Sequence, residues 1–312
     1  MTVAFVFPGQ GSQSVGMMNA LAEEFPIVRE TFAEASLAMG KDLWQLVVQG
    51  PDEILNQTEI TQPIMLAAGV ATWRTWLAAK GPRPGCMAGH SLGEYSALVC
   101  AGSIEFPEAM KLVSDRARFM QQAVPAGQGG IAAILGLEDD AVRQLCEQAS
   151  QGEVLDAVNF NTPGQVVIAG TATAVARALE QSKAAGAKRA VRLPMSVPAH
   201  SRLMHPAAQQ MAVRLKQADI RPPQIPVIHN MHVQTESNPD AIRNALVRQI
   251  ESPVRWVETI QKMTVEGVTQ IVECGPGKVL TGLNKRIVKS LETYSVYDPS
   301  TIRETISKIS PA

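Results

Sequence analysis

The stretch from Pro84 to Gly102, PGCMAGHSLGEYSALVCAG, sets Ser91 between Gly89 and Gly93 in a G-x-S-x-G frame. A serine hydroxyl is a weak nucleophile until a base takes its proton. Flanking glycines allow a sharp strand-to-helix turn that pushes Oγ outward, and the N–H of the following residue then faces a developing oxyanion. An apolar run precedes Ser91 and a helix-like run follows it, so Ser91 is the candidate nucleophile of an acyl transfer, to water or to another acceptor. Its base must be one of five histidines. His90 belongs to the turn itself and is expected to point away from Oγ. His229 and His232 lie three residues apart beside a strand, which sends them toward opposite faces. His200 and His205 follow a break in the pattern, and spacing does not choose between them. An α/β-hydrolase would also carry an acid between the serine and the histidine in chain order. The acids available there, such as Asp139 and Asp156, fall in a separate module. The residues by themselves therefore give serine acyl chemistry with the base left open.

The elements that would position Ser91 alternate along the chain. Val3 to Phe7 reads as a buried strand followed by a glycine-rich loop and a helix through Phe25. Helical periodicity returns in ETFAEASLAMG and from about Thr61 to Lys80, with Pro63 in a first-turn position. A strand at Cys86–Ala88 leads into the Ser91 turn and its helix, and a further helix from Pro107 to Ala123 carries Arg116. Between Pro125 and Val197 the order becomes β-α-β-β-α-β, the split βαβ pattern of a ferredoxin-like module. Beyond it IPVIHNMHV reads as a strand, NPDAIRNALVRQI as a capped helix, VTQIVECGPG as a strand and KVLTGLNKRIV as a helix. Strands alternating with helices on both sides of the insert imply an α/β fold with a helix-covered parallel sheet. The expected organisation is a discontinuous large domain, 1–124 and 198–312, interrupted by a small domain, 125–197.

Bulk properties narrow the functions. At 312 residues, with 46% hydrophobic and 18% charged side chains, the chain suits about two globular domains. Lys+Arg 28 against Asp+Glu 29 leaves a net charge of -1, with no global pull toward nucleic acid or a membrane surface. No apolar run approaches the roughly 18 residues of a membrane span. The four cysteines, Cys86, Cys100, Cys146 and Cys274, form no C-x-x-C pair, so a metal site or disulfide framework is not expected and a reducing compartment is. MTVAFVFPGQG has no basic segment before its short apolar run, unlike a secretory signal. A cytoplasmic protein follows. The loop Gly9-Gln10-Gly11-Ser12-Gln13 fails as a dinucleotide fingerprint because Ser14 stands where a third glycine is needed. It fails as a Walker loop because Met17-Met18 follow Gly16. Backbone N–H groups aimed at an anion remain its functional alternative beside Ser91. TPGQ at Thr162 to Gln165 reads as a hairpin turn, and CGPGK as another turn.

Seven motifs then occur in order: FPGQGSQ, AGHSLGEYSAL, SDRARFMQ, TPGQVVIAG, VPAHSRLM, LVRQIESPVRW and CGPGKVLTGLNKRI. Together, over about residues 3 to 290, they closely resemble the malonyl-CoA:acyl carrier protein transacylases of type II fatty acid synthesis. The resemblance implies an α/β-hydrolase-like large domain with an inserted ferredoxin-like small domain. It implies Ser91 as nucleophile, His200 as base, and the Gln249 carbonyl in place of the missing acid. The Gln10 and Leu92 N–H groups would form the oxyanion hole, and Arg116 would grip the free carboxylate of malonate. A guanidinium suits that role because its rigid fork pairs bidentately with a carboxylate. Either Asn159 or Asn161 would line the acyl pocket. Ala199 stands where some polyketide synthase acyltransferases carry an aromatic, which leaves extender selectivity open. The implied reaction is a ping-pong transfer through a malonyl-serine, from malonyl-CoA to the phosphopantetheine of acyl carrier protein, with no metal or redox cofactor. Lys278, Lys285, Arg286 and Lys289 would meet the acidic carrier, and the enzyme would be a monomer. The rival expectations are a discrete acyltransferase of a polyketide synthase and a serine hydrolase or thioesterase.

Overall fold

The computed structural model describes residues 2–195 and 197–309. Among the described residues nine strands are formed: β1 (Thr2–Phe7), β2 (Cys86–Gly89), β3 (Gly129–Leu135), β4 (Leu155–Thr162), β5 (Gln165–Thr171), β6 (Arg189–Arg192), β7 (Val227–Ile228), β8 (Val268–Cys274) and β9 (Glu292–Val296). They make two sheets. The larger has the order β7-β2-β1-β8-β9 and every pairing in it is parallel. β1 lies at its centre, and the unbroken apolar run from Val3 to Phe7 is the composition that burial on both faces demands. Alternate side chains feed two cores: Phe5 and Phe7 pack with Trp73 and Trp76 on one face, Ala4 and Val6 with Trp256 on the other.

The smaller sheet is antiparallel, in the order β4-β5-β3-β6. The helices Asp139–Ser150 and Ala172–Ser182 cover one face over an apolar cluster of its own. Its chain order is strand-helix-strand-strand-helix-strand, the module expected from the sequence. β4 meets the larger unit through Val254, whose N–H donates to Val158 C=O (2.8 Å) and whose C=O accepts from Phe160 N–H (3.0 Å). That junction carries Asn159 and Asn161 toward the Ser91 turn.

Several elements differ from the sequence expectation. The glycine-rich loop does not open directly into a helix; turns lead to a six-residue helix at Asn19–Glu24. The helix expected from Thr61 begins at Thr58, so Pro63 lies in its second turn. Proline there removes one N–H from the ladder, a loss that nearly all-round burial of this helix outweighs. IPVIHNMHV supplies only the two residues of β7 to the sheet, because the chain turns at His229, where Val233 N–H donates to His229 C=O (3.0 Å). The helices His205–Lys216, Trp256–Val265 and Pro299–Ile309 and the edge strand β9 complete the cover. Among the described residues no helix is long and apolar enough to cross a membrane.

Candidate active site

β2 delivers the chain to Ser91, and the helix Gly93–Cys100 leaves it. The two glycines are required by contact. A Cβ on Gly89 would fall 1.8 Å from the carbonyl carbon of Gly93, and one on Gly93 would fall 2.0 Å from Phe7 O. The turn is thus pressed into the end of β1. Ser91 takes φ +52°, a left-handed conformation that few non-glycine residues adopt. His200, at the far side of the site, does the same with φ +67°.

Ser91 Oγ lies 2.7 Å from His200 Nε2. His200 Nδ1–H donates to the main-chain carbonyl of Gln249 at 2.7 Å. A carbonyl only accepts, so the proton belongs on Nδ1 and Nε2 is left free to take one from Ser91. Burial, reinforced by the charge of Arg116, holds the His200 pKa down to about 3, against the opposing hydrogen bond to Gln249. The imidazole is therefore neutral and fit to act as a base across the physiological range.

The other four histidines are occupied elsewhere. His90 turns away from Oγ, hydrogen-bonds Asn161 Oδ1 through Nε2 (2.8 Å) and tilts against Trp256 with ring centres 5.5 Å apart. Burial lowers its pKa. His205 pairs with Glu251 at the surface, His232 with Glu236, and His229 with the buried Glu94. His229 and His232 do not diverge as the strand reading expects: the chain turns between them and their rings meet edge to face, with centres 5.6 Å apart.

Arg116 comes from the helix Phe106–Ala123 and is 1% exposed. One terminal nitrogen donates to Gln62 Oε1 (2.6 Å); the other donates to Gln249 Oε1 (3.0 Å) and to Ser91 Oγ (3.2 Å). The guanidinium lies 5.7 Å from the centre of the Tyr95 ring, within cation–π range. All three acceptors are neutral, and burial lowers its pKa. A fixed cation beside the nucleophile, with no carboxylate in contact, is shaped to take one from a substrate.

Ser91, His200 and Arg116 share a cavity of about 70 Å³ with Gln10, Leu92 and Asn159. Neither the Gln10 nor the Leu92 N–H has an acceptor among the described residues. Asn159 Oδ1 is buried without a partner, whereas Asn161 is engaged with His90. Of the two asparagines left open by the sequence, Asn159 is the one that lines the cavity. Lys278, Lys285, Arg286 and Lys289 do not line it, and each is exposed.

Sequence reasoning missed the layer under the nucleophile. Asn230 Oδ1 accepts from Ser91 N–H (2.7 Å) while its Nδ2 donates to Gly89 C=O (2.6 Å), so one side chain clasps both sides of the turn. Gln62 was missed as well. Its only signal is a polar residue directly before Pro63 and the apolar run that follows in the same helix.

A base-paired serine on a glycine-pressed turn, with free backbone donors beside it, defines a serine acyltransfer site on a parallel α/β sheet. Comparison with known proteins refines that class. A family model described as the acyl transferase domain matches residues 4–305. The malonyl CoA-acyl carrier protein transacylase of Escherichia coli K12 is 56% identical over 297 residues, covering 95% of this chain and 96% of that protein. Among solved structures, an acyl carrier protein S-malonyltransferase from Vibrio cholerae O1 biovar eltor superposes with a TM-score of 0.95 at 56% identity, covering 98% of this chain and 100% of that one. A malonyl-transacylase solved in complex with a type II PKS acyl-carrier protein superposes with a TM-score of 0.98 at 52% identity, covering 99% and 100%. The chain belongs to the acyl transferase domain family and, within it, to the malonyl CoA-acyl carrier protein transacylases.

Proposed function

We propose that this protein moves the malonyl group of malonyl-CoA onto the phosphopantetheine thiol of an acyl carrier protein. Ser91 Oγ attacks the thioester carbonyl as His200 Nε2 takes its proton. The Gln10 and Leu92 N–H groups receive the oxyanion, where loss of one such donor typically slows the reaction ~10²–10³-fold. The intermediate collapses, His200 returns the proton to the departing thiolate, and malonyl-Ser91 and free coenzyme A remain. In the second half the carrier thiol gives its proton to His200 and attacks the ester carbonyl; as the intermediate collapses, His200 returns that proton to the departing Ser91 Oγ. The cycle is ping-pong. Nucleophile, base and oxyanion donors are all groups of the chain, and no metal or redox cofactor enters the scheme.

The observation that carries this reading is Arg116, a buried cation 3.2 Å from Ser91 Oγ and bonded only to neutral acceptors. A neutral acyl group would have no use for it; malonate brings the carboxylate it lacks. The similarity to malonyl transacylases supports the same substrate. Supply of malonyl units to fatty acid synthesis in the cytoplasm by a monomeric enzyme completes the proposal. We further assign 125–197 as a small domain inserted between 1–124 and 198–312. Lys278, Lys285, Arg286 and Lys289 would offer the carrier an electrostatic docking face.

The test is intact mass after mixing with malonyl-CoA or acetyl-CoA. A malonyl adduct is expected that vanishes in Ser91→Ala, persists in water and clears on adding carrier protein. Arg116→Ala is expected to lose on the order of 10²-fold in malonyl adduct rate, the scale of a lost charge-assisted bidentate pair, and to leave the acetyl rate nearly unchanged. Rapid spontaneous loss of the adduct would instead mark a hydrolase.

A further inference from the structure

Arg116 is nearly solvent-free and makes no ion pair among the described residues. A buried, uncompensated charge is costly, so a counter-charge is expected within the same layer. One lies a single amide away. Glu94, three residues beyond the nucleophile, is 0% exposed. Its Oε1 accepts from His229 Nδ1 (2.7 Å), and its Oε2 accepts from Asn230 N–H (2.9 Å) and Gln249 Nε2 (3.0 Å). Every contact of this carboxylate is as an acceptor.

Gln249 is the spacer. Its Nε2 donates to Glu94 Oε2 and to Ser91 C=O (2.9 Å), and its Oε1 accepts from Arg116 (3.0 Å). The amide cannot be reversed, because one side meets only acceptors and the other only a donor. Its orientation is therefore set by the charges on either side of it. Contact between Glu94 and Arg116 would satisfy the guanidinium and leave a substrate carboxylate to compete with an internal one. Absence of Glu94 would leave the cation bare.

We propose that Glu94 is the resident counter-charge of the malonate clamp, held one Gln249 amide away from Arg116 so that the guanidinium is balanced yet still open to the substrate carboxylate. This rests on the malonyl reading above. Glu94 touches neither substrate nor Ser91 Oγ; it tunes how strongly Arg116 pulls on a carboxylate. Burial weakens the protonated form of Arg116, and Tyr95 and then Glu94 oppose that effect.

The measurement is the ratio of malonyl to acetyl adduct formation on Ser91, in the full-length enzyme, by rapid quench and intact mass. Glu94→Gln keeps the shape, and His229 can shift its proton to Nε2 to accommodate the new amide. Removing the charge takes away a repulsion on malonate, so the malonyl:acetyl ratio is expected to rise about tenfold, on the scale of one unit charge several ångströms away at intermediate dielectric. A residue that merely supports the turn would lower both rates together. The charge swap Glu94→Gln/Gln249→Glu moves the carboxylate into contact with Arg116 and leaves the Gln249 backbone carbonyl in place; it also gives up the Gln249 Nε2 bond to Ser91 C=O, a loss that falls on both acyl groups and so cancels in their ratio. It is expected to lower the ratio about tenfold or more by closing the clamp from within. An unchanged or lowered ratio in Glu94→Gln overturns the proposal. If that variant does not fold, the swap decides alone, and a wild-type ratio there overturns it equally. Arg116→Ala separates the two levels: retained malonyl preference sinks the substrate reading and this inference together. Preference lost in Arg116→Ala but unmoved in Glu94→Gln sinks this inference only.

Discussion

The two sides of the cavity are built from different materials. On the larger unit, the Ser91 turn rests on buried polar groups: Glu94, His229, Asn230, Gln249 and Arg116 are linked by hydrogen bonds that bridge distant segments. On the smaller sheet, the helix-covered interior is Val, Ile, Leu and Ala with Phe160 and Cys146, and the site receives Ile131 from β3 and Asn159 from β4. A polar layer in a low-dielectric interior is specific in a way an apolar one is not, since each donor accepts few alternatives and each unmet group is penalised. The apolar module tolerates repacking as long as its volume is kept. The polar groups of the cavity thus come mainly from the first side, and the second closes over it with residues such as Ile131 and Asn159.

The largest break in that contrast should come from the turn itself. Gly89→Ala is expected to destabilise the protein by on the order of 4 kcal/mol or more, because its Cβ would collide with backbone that has no room to move. By contrast, Ile168→Val in the small-sheet core should cost about 1 kcal/mol. Thermal melts of both variants check this, and comparable losses would erase the distinction drawn between the two sides.

Acid titration sharpens the contrast from the side of charge. With His200 held at about 3 by burial and Arg116, its basic form persists far below the ordinary imidazole value of 6.5. The rate of malonyl-Ser91 formation should therefore stay flat as pH falls through 6.5; a half-maximal rate near that value would contradict it. The stability effect has the opposite appearance. Between those two values the unfolded chain binds a proton that folded His200 does not, so His200 makes folding less favourable as pH drops from 6.5 toward 3.

The smallest effect is expected at the seam between the sides. Asn161→Ala removes the partner of His90 Nε2. A lost neutral hydrogen bond is worth about 1 kcal/mol, so acylation should slow by roughly tenfold or less, in kcat/KM for malonyl and acetyl groups alike. A selective loss of the malonyl reaction would instead give the small sheet a part in discrimination.

What could be read from the sequence follows the same division. The strand before Ser91, the helix after it, the parallel sheet and the split βαβ insert are local patterns of period and punctuation. His200, Arg116 and Gln249 were legible only through resemblance, because 109 residues separate Ser91 from His200 and no spacing rule spans that gap. The layer below had no local signal. Glu94 sits in the first turn of a helix, where a carboxylate is ordinary, and nothing near it says that residues 135 and 155 positions away will close over it. The two-residue strand β7 was overread for a related reason. His229 and Asn230 directly follow the apolar Val227 and Ile228, yet they leave the sheet to serve Glu94 and Ser91.

Ser91 and His200 share one further property, their positive φ. Each would sit more easily as glycine, and a non-glycine residue held there stores on the order of 1–3 kcal/mol. The proposed nucleophile and base are thus also two residues that the backbone would readily give up. Drift toward greater robustness at these two positions leads straight to an inert protein, so thermal hardiness and competence pull in opposite directions at the two points that touch the migrating proton.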